Sequence, residues 1–150
     1  MQALIVHDDI SEIQRIRLLL ARRGYDVLET SDQAAGVLLA RRKTVDLLIL
    51  KLRIGDKHTS SVALAAEYNN PDVATVLLAD GERADLLELF ELIPSVKAIL
   101  PEAPDRILLA ALMTTVVDPD ATSVLLLTPD HAVPMADVGP DLSFVSSRAA

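Results

Sequence analysis

Five short aliphatic runs alternate with segments of helical spacing over the first 117 residues, and that alternation leaves few folds open. The runs are ALIVH (3–7), YDVLE (25–29), VDLLILKL (45–52), VATVLLA (73–79) and VKAIL (96–100). Each has strand length, and the third reads as a strand that needs no water on either side. Before the second run, Ser11 with Gln14 reads as a capping-box start, Ile13, Ile16, Leu19 and Leu20 as a buried stripe, and Gly24 as the helix C-cap. A second helix is expected over 33–42, and a third over 60–68, stopped by the Asn69-Asn70-Pro71 breaker. A fourth should follow Gly81 to about Ile93, and a fifth should run from near Pro104 to near Val117. Strand–helix units with short connections predict an α/β fold, a parallel sheet covered by helices on both faces.

In such sheets the functional crevice lies at the carboxyl ends of the strands, where the strand order reverses. The rule singles out His7, Asp8 and Asp9 after the first strand and residues 51–56 after the third. It adds Ala79 to Gly81 after the fourth strand and Leu100-Pro101 after the fifth.

At these positions the sequence resembles the receiver domain of two-component response regulators. ALIVHDDISEIQRIRLLLARRGYDVLET is similar to the family's opening strand, acidic pair, first helix and second strand. VDLLILKLRIGD resembles its third strand and following loop, and LPEAPDRILLAAL its lysine-proline segment and last helix. The resemblance spans about residues 2–117 and implies a flavodoxin-like, doubly wound five-stranded parallel sheet in the order 2-1-3-4-5, with two helices on one face and three on the other. In the family an acidic pair holds Mg²⁺, and an aspartate ending the third strand accepts a phosphoryl group. A hydroxyl and a lysine then bind the phosphoryl oxygens. Only the acidic pair carries over, as Asp8 and Asp9. Lys51 stands at the acceptor position, Ala79 at the hydroxyl, Leu100 at the lysine, and Ala98 at the switch aromatic. The resemblance therefore implies a degenerate, or pseudo-receiver, domain.

The residues lead the same way unaided. An ammonium has no lone pair to offer a phosphoryl donor, and two carboxylates alone give Mg²⁺ too few oxygens. Neither a metal nor a cofactor is expected. Lys51 either pairs with Asp8 or Asp9, its charge occupying the place of a metal, or snorkels out to water. The competing reading of the acidic pair is as ordinary acids at a helix N-terminus. His7 reads as a hydrogen-bonded strand end or a proton switch. His58 and His131 lack a second ligand at metal spacing, Ser60 and Ser61 lack a His/Asp constellation, and no Gly-rich phosphate loop follows the first strand.

A net charge of −8 and 3% aromatic residues argue against a nucleic-acid surface. With no cysteine, disulfides and thiolate metal sites are excluded. MQALIVHDDI lacks the basic flank of a signal peptide, and nothing later has the length of a membrane span, so a cytoplasmic protein is expected. The fourth helix carries more apolar residues than one stripe can hide, Leu86 and Phe90 among them, and RILLAALMTTVV, with Leu109 and Met113, is apolar nearly all round. A homodimer through these two helices, helped by the tail, is the expected interface, with the tail itself as the competing cover. A receiver-like domain over 1–117 and an extension over 118–150 are expected, the latter with an added strand at 122–128.

Three functions compete on this basis. The first is a signalling module that is not phosphorylated, acts by protein–protein contact and has no enzymatic activity. The second is a receiver phosphorylated elsewhere, for example on Asp56 or Asp80. The third is a flavodoxin-like small-molecule or enzymatic domain using Asp8 and Asp9.

Overall fold

The computed structural model describes residues 1–102, 104, 125–127 and 132–134. Five parallel strands form the body of the sheet: β1 (Gln2–Val6), β2 (Asp26–Thr30), β3 (Leu47–Lys51), β6 (Ala74–Leu78) and β7 (Val96–Leu100). Between β3 and β6 lies a two-strand antiparallel hairpin, β4 (Arg53–Ile54) and β5 (Lys57–His58), with Gly55 at φ +63 in its turn. The sequence predicts only a loop after the third strand. The hairpin is too short to carry a strand period, and the glycine supplies the left-handed backbone its turn requires.

The sheet order is β2-β1-β3-β6-β7-β8-β9, so the five parallel strands take the expected 2-1-3-4-5 winding. The chain beyond β7 extends the sheet. β8 (Leu125–Leu127), inside the expected 122–128 run, pairs parallel with β7, and β9 (Ala132–Pro134) pairs antiparallel with β8.

Because successive strand side chains alternate, the sheet makes two cores. Ala3, Ile5, Leu47 and Ile49 face Ile13, Ile16 and Leu20 of α1 (Ile10–Arg22). Leu4, Val6, Leu48 and Leu50 face the opposite layer, made by α2 (Gln33–Arg42), α3 (Ser60–Asn69) and α4 (Arg83–Leu92). The expected fifth helix lies outside the described residues. Every side chain of β3 before Lys51 is buried, which explains why its sequence is an unbroken aliphatic run. The Asn69-Asn70 breaker ends α3 and also braces it: the Asn69 and Asn70 amides donate to the carbonyls of Lys43 and Val45, each at 2.8 Å.

The cap of α1 differs from the expectation. Asp9, not Ser11, is the N-cap, and its Oδ1 accepts from the Ser11 N–H at 2.9 Å and the Ser11 hydroxyl at 2.7 Å. Both residue types cap well. Asp9 is the one in extended backbone, so Ser11 falls inside the first turn.

Candidate functional site

β1 has β2 on one side and β3 on the other, so the strand order reverses between β1 and β3. Their carboxyl ends hold the residues that the sequence marked. Asp8 follows β1, and Lys51 is the last residue of β3. The Lys51 Nζ donates to Asp8 Oδ1 at 2.9 Å and stands 4.0 Å from Glu102 Oε1 beyond β7. Lys51 is therefore paired rather than snorkelling alone. Its partner is Asp8, since the Asp9 carboxylate is committed to capping α1.

The pair titrates as its geometry dictates. The hydrogen bond from Lys51 holds the Asp8 carboxyl below its ordinary value. The same bond, with the charges of Asp8, Glu102 and Asp9, holds the Lys51 ammonium above its ordinary value. Hydrogen bonds from Ser11 likewise lower Asp9. The signs place the pair's stabilisation between the two pKa values. It is lost as pH falls through the lowered Asp8 value or rises through the raised Lys51 value.

His7 is buried beneath this pair, 2% exposed, and its Nδ1 accepts from the Asp9 N–H at 3.0 Å. The neutral ring then carries its proton on Nε2. That atom is buried without a hydrogen-bond partner among the described residues. Burial pushes the imidazole below its ordinary pKa, and the Lys51 ammonium adds to the effect against the opposing pull of Asp8 and Glu12. An unfolded chain takes up this proton near pH ~6.5, while the folded chain resists it until lower pH. Stability should fall as pH drops below that point. His7→Gln should flatten the slope of Tm against pH between ~7 and ~5, where unperturbed carboxylates stay ionised. Equal slopes in wild type and variant would mean that His7 protonates in the fold as freely as outside it.

Leu78 at the end of β6, Ala79 after it and Leu100 at the end of β7 are apolar. Ala79 is buried against the α2–α4 core and Leu100 against the α1 core, and Ala98 is fully buried within β7. The Ala79 N–H donates to the Leu100 carbonyl at 2.8 Å, and Asp80 Oδ1 accepts from the Glu102 N–H at 3.1 Å. Asp80 thus latches the loops after β6 and β7. Asp56 is exposed in the hairpin turn between β4 and β5. His58 lies on β5, with its Nε2 2.8 Å from Arg53 Nη2. Thr59, which the sequence had not marked, is fully buried, and its hydroxyl donates to the Lys51 carbonyl at 2.6 Å. It fixes the backbone from which the lysine reaches out.

A divalent metal does not fit this donor set. Lys51 fills the position beside Asp8, Asp9 faces the helix, and no group of three His, Cys, Asp or Glu is placed to hold an ion among the described residues.

The expected interface helix is mostly turned inward. Leu86 and Ile93 of the α4 region are buried in the chain's own core, and Leu87, Leu89 and Phe90 pack against it. Leu86 is thus a core residue, and Phe90 is half-buried. The helix's apolar side chains share one core cluster with Val96 and Ile99 of β7. Only Leu92 among its large apolar side chains is exposed. Leu109 and Met113 lie outside the described residues. No helix among the described residues is long and apolar enough to cross a membrane.

No family model and no curated protein matches the sequence. Solved structures do match the fold. A chemotaxis response regulator of Vibrio cholerae superposes with a TM-score of 0.67 at 16% identity, over 77% of this chain and 98% of that one. A response regulator from Burkholderia pseudomallei, with a phosphorylated aspartic acid and a calcium ion, gives 0.65 at 16% identity, over 80% and 68% of the two chains. An adenylate cyclase from Rhodopirellula baltica gives 0.63 at 13% identity, over 75% and 84%. What this chain shares with them is the flavodoxin-like receiver fold.

Proposed function

We propose that the chain is a receiver-like signalling module that works without phosphorylation, by protein–protein contact in a two-component or related regulatory pathway. The observation that carries this reading is the 2.9 Å bond between Lys51 Nζ and Asp8 Oδ1 at the ends of β3 and β1. A receiver is switched by bringing charge into this crevice and removing it. Here a cation is covalently part of the strand, held protonated by the carboxylates around it. It has no lone pair for a phosphoryl donor, and Ala79 and Leu100 bring neither hydroxyl nor ammonium to phosphoryl oxygens. The crevice is locked in one charge state, and what remains of receiver function is the surface. Contact through α4, as a homodimer or with another protein, is part of this reading.

Intact mass after incubation with acetyl phosphate and Mg²⁺ tests it. The mass is expected to stay unchanged. A gain of one phosphoryl group, at the exposed Asp56 or at Asp80, would overturn the reading and make the chain a receiver with a displaced acceptor.

A further inference from the structure

α2 and α3 lie side by side on the same face of the sheet, and their outer surfaces diverge into a groove of about 650 Å³. Val37 and Arg41 line one wall, and Leu64, Ala65 and Tyr68 the other, each set spaced to share one face of its helix. The groove's rim is apolar and exposed: Leu64 is 52% exposed and Tyr68 93%. A small molecule seated in the groove would leave that rim in water, so a larger apolar occupant fits better. The rim is also basic. Arg41, Arg42 and Lys43 follow one another at the end of α2, exposed, and none has a carboxylate partner among the described residues. In a chain of net charge −8 this is a marked local excess of positive charge.

The complementary surface is present on the same chain. α4 exposes Asp85, Glu88 and Glu91, none paired with a cation among the described residues, and its one basic residue, Arg83, is its first, at the end far from Leu92. Leu92 stands four residues after Glu88, on the same side of the helix, and is 67% exposed. An apolar knob flanked by carboxylates on one surface matches an apolar groove flanked by cations on the other. We propose that a second copy of this chain occupies the groove, its α4 laid against α2 and α3 with Leu92 over Leu64 and Tyr68 and its carboxylates toward Arg41 to Lys43. The two surfaces differ, so the contact is head-to-tail, and each pair of copies leaves one groove and one α4 free for the next. The inference deepens the contact half of the proposed function, and the mass measurement above fails independently of it.

Sedimentation of the full chain over a rising concentration series tests the assembly. Wild type should grow past a dimer, less so in high salt, where exposed charge pairs are screened. Leu64→Glu and Leu92→Glu change exposed side chains and should each weaken association on the order of tenfold or more. A mixture of the two variants should form a 1:1 dimer and nothing larger, since it holds only one intact groove–helix pair. Arg41→Glu combined with Glu88→Arg should restore association that either change alone weakens. A wild type that stays monomeric throughout would overturn the proposal. So would variants that associate like wild type, or a mixture that gives no heterodimer. If the monomer instead binds anilinonaphthalene sulfonate at one site, lost in Leu64→Glu, the groove belongs to a small apolar anion and the second-copy assignment is wrong.

Discussion

Gly36→Leu is expected to destabilise the fold by ~1–3 kcal/mol, the usual cost of forcing volume into a packed core. A Cβ at Gly36 would stand 3.2 Å from Cγ2 of both Val6 and Val62. The glycine therefore lets α2 settle onto β1 and against α3 at once, with ordinary helical backbone and no need for left-handed φ. Gly36→Ala sets two effects against each other. Helix propensity gains up to ~1 kcal/mol, and two valine methyls must retreat by a few tenths of an ångström, so the net should fall within about 1 kcal/mol of wild type. Leucine keeps the crowding and adds three more carbons with no space to enter. Chemical denaturation should show the alanine variant near wild type and the leucine variant well below it. Thermal melts should show a Tm lower by roughly 2–12 °C for a chain of this size. A leucine variant as stable as wild type would mean that α2 is not seated on Val6.

The sequence carried most of the architecture because the sheet is buried on both faces. β1, β3, β6 and β7 had to be aliphatic runs, and their spacing left few windings. The location of the site followed from the same rule, since the ends of β1 and β3 flank the reversal of strand order. The detail that escaped depends on backbone angles no composition reveals. Asp9 sits at φ −110 and ψ 114, which turns its carboxylate onto Ser11 and leaves Asp8 for Lys51. Counting apolar residues made α4 look unpartnered. The count treats a helix as covered on one stripe, whereas α4 also leans on β7 and buries Leu86 and Ile93 together. The α2–α3 groove was illegible for the opposite reason. Leu64 and Tyr68 read as ordinary members of a helix, and only the packing of two helices over Gly36 shows that both remain exposed beside it.

Lys51→Asp is expected to turn a chain indifferent to Mg²⁺ into one that Mg²⁺ stabilises. Wild type offers the metal little, because the ammonium already neutralises Asp8 at 2.9 Å and would repel a second cation. Loss of the pair itself should cost little. The Asp8 side chain is 38% exposed and that of Lys51 18%, so solvent screens the bond and Lys51→Ala should lose only ~0–1 kcal/mol. The aspartate variant is different in kind. It places a third carboxylate beside Asp8, with Glu102 near enough to have stood 4.0 Å from the lysine, and the three repel one another until a cation arrives. Hard oxygen donors are what Mg²⁺ takes. With a Kd of ~1 mM, ~10 mM metal would stabilise the folded state by ~1.4 kcal/mol. At this chain length that is a Tm rise of roughly 3–6 °C, against none in wild type. Lys51→Ala should fall between them, with Asp8 freed but no third ligand. Even with metal, the aspartate variant should hold a phosphoryl group poorly, since Ala79 and Leu100 still bring no donor to its oxygens. Thermal melts of the three proteins across a Mg²⁺ series decide the matter. A wild type that gains as much from Mg²⁺ as Lys51→Asp does would show that the ammonium leaves the crevice open and does not stand in for the metal.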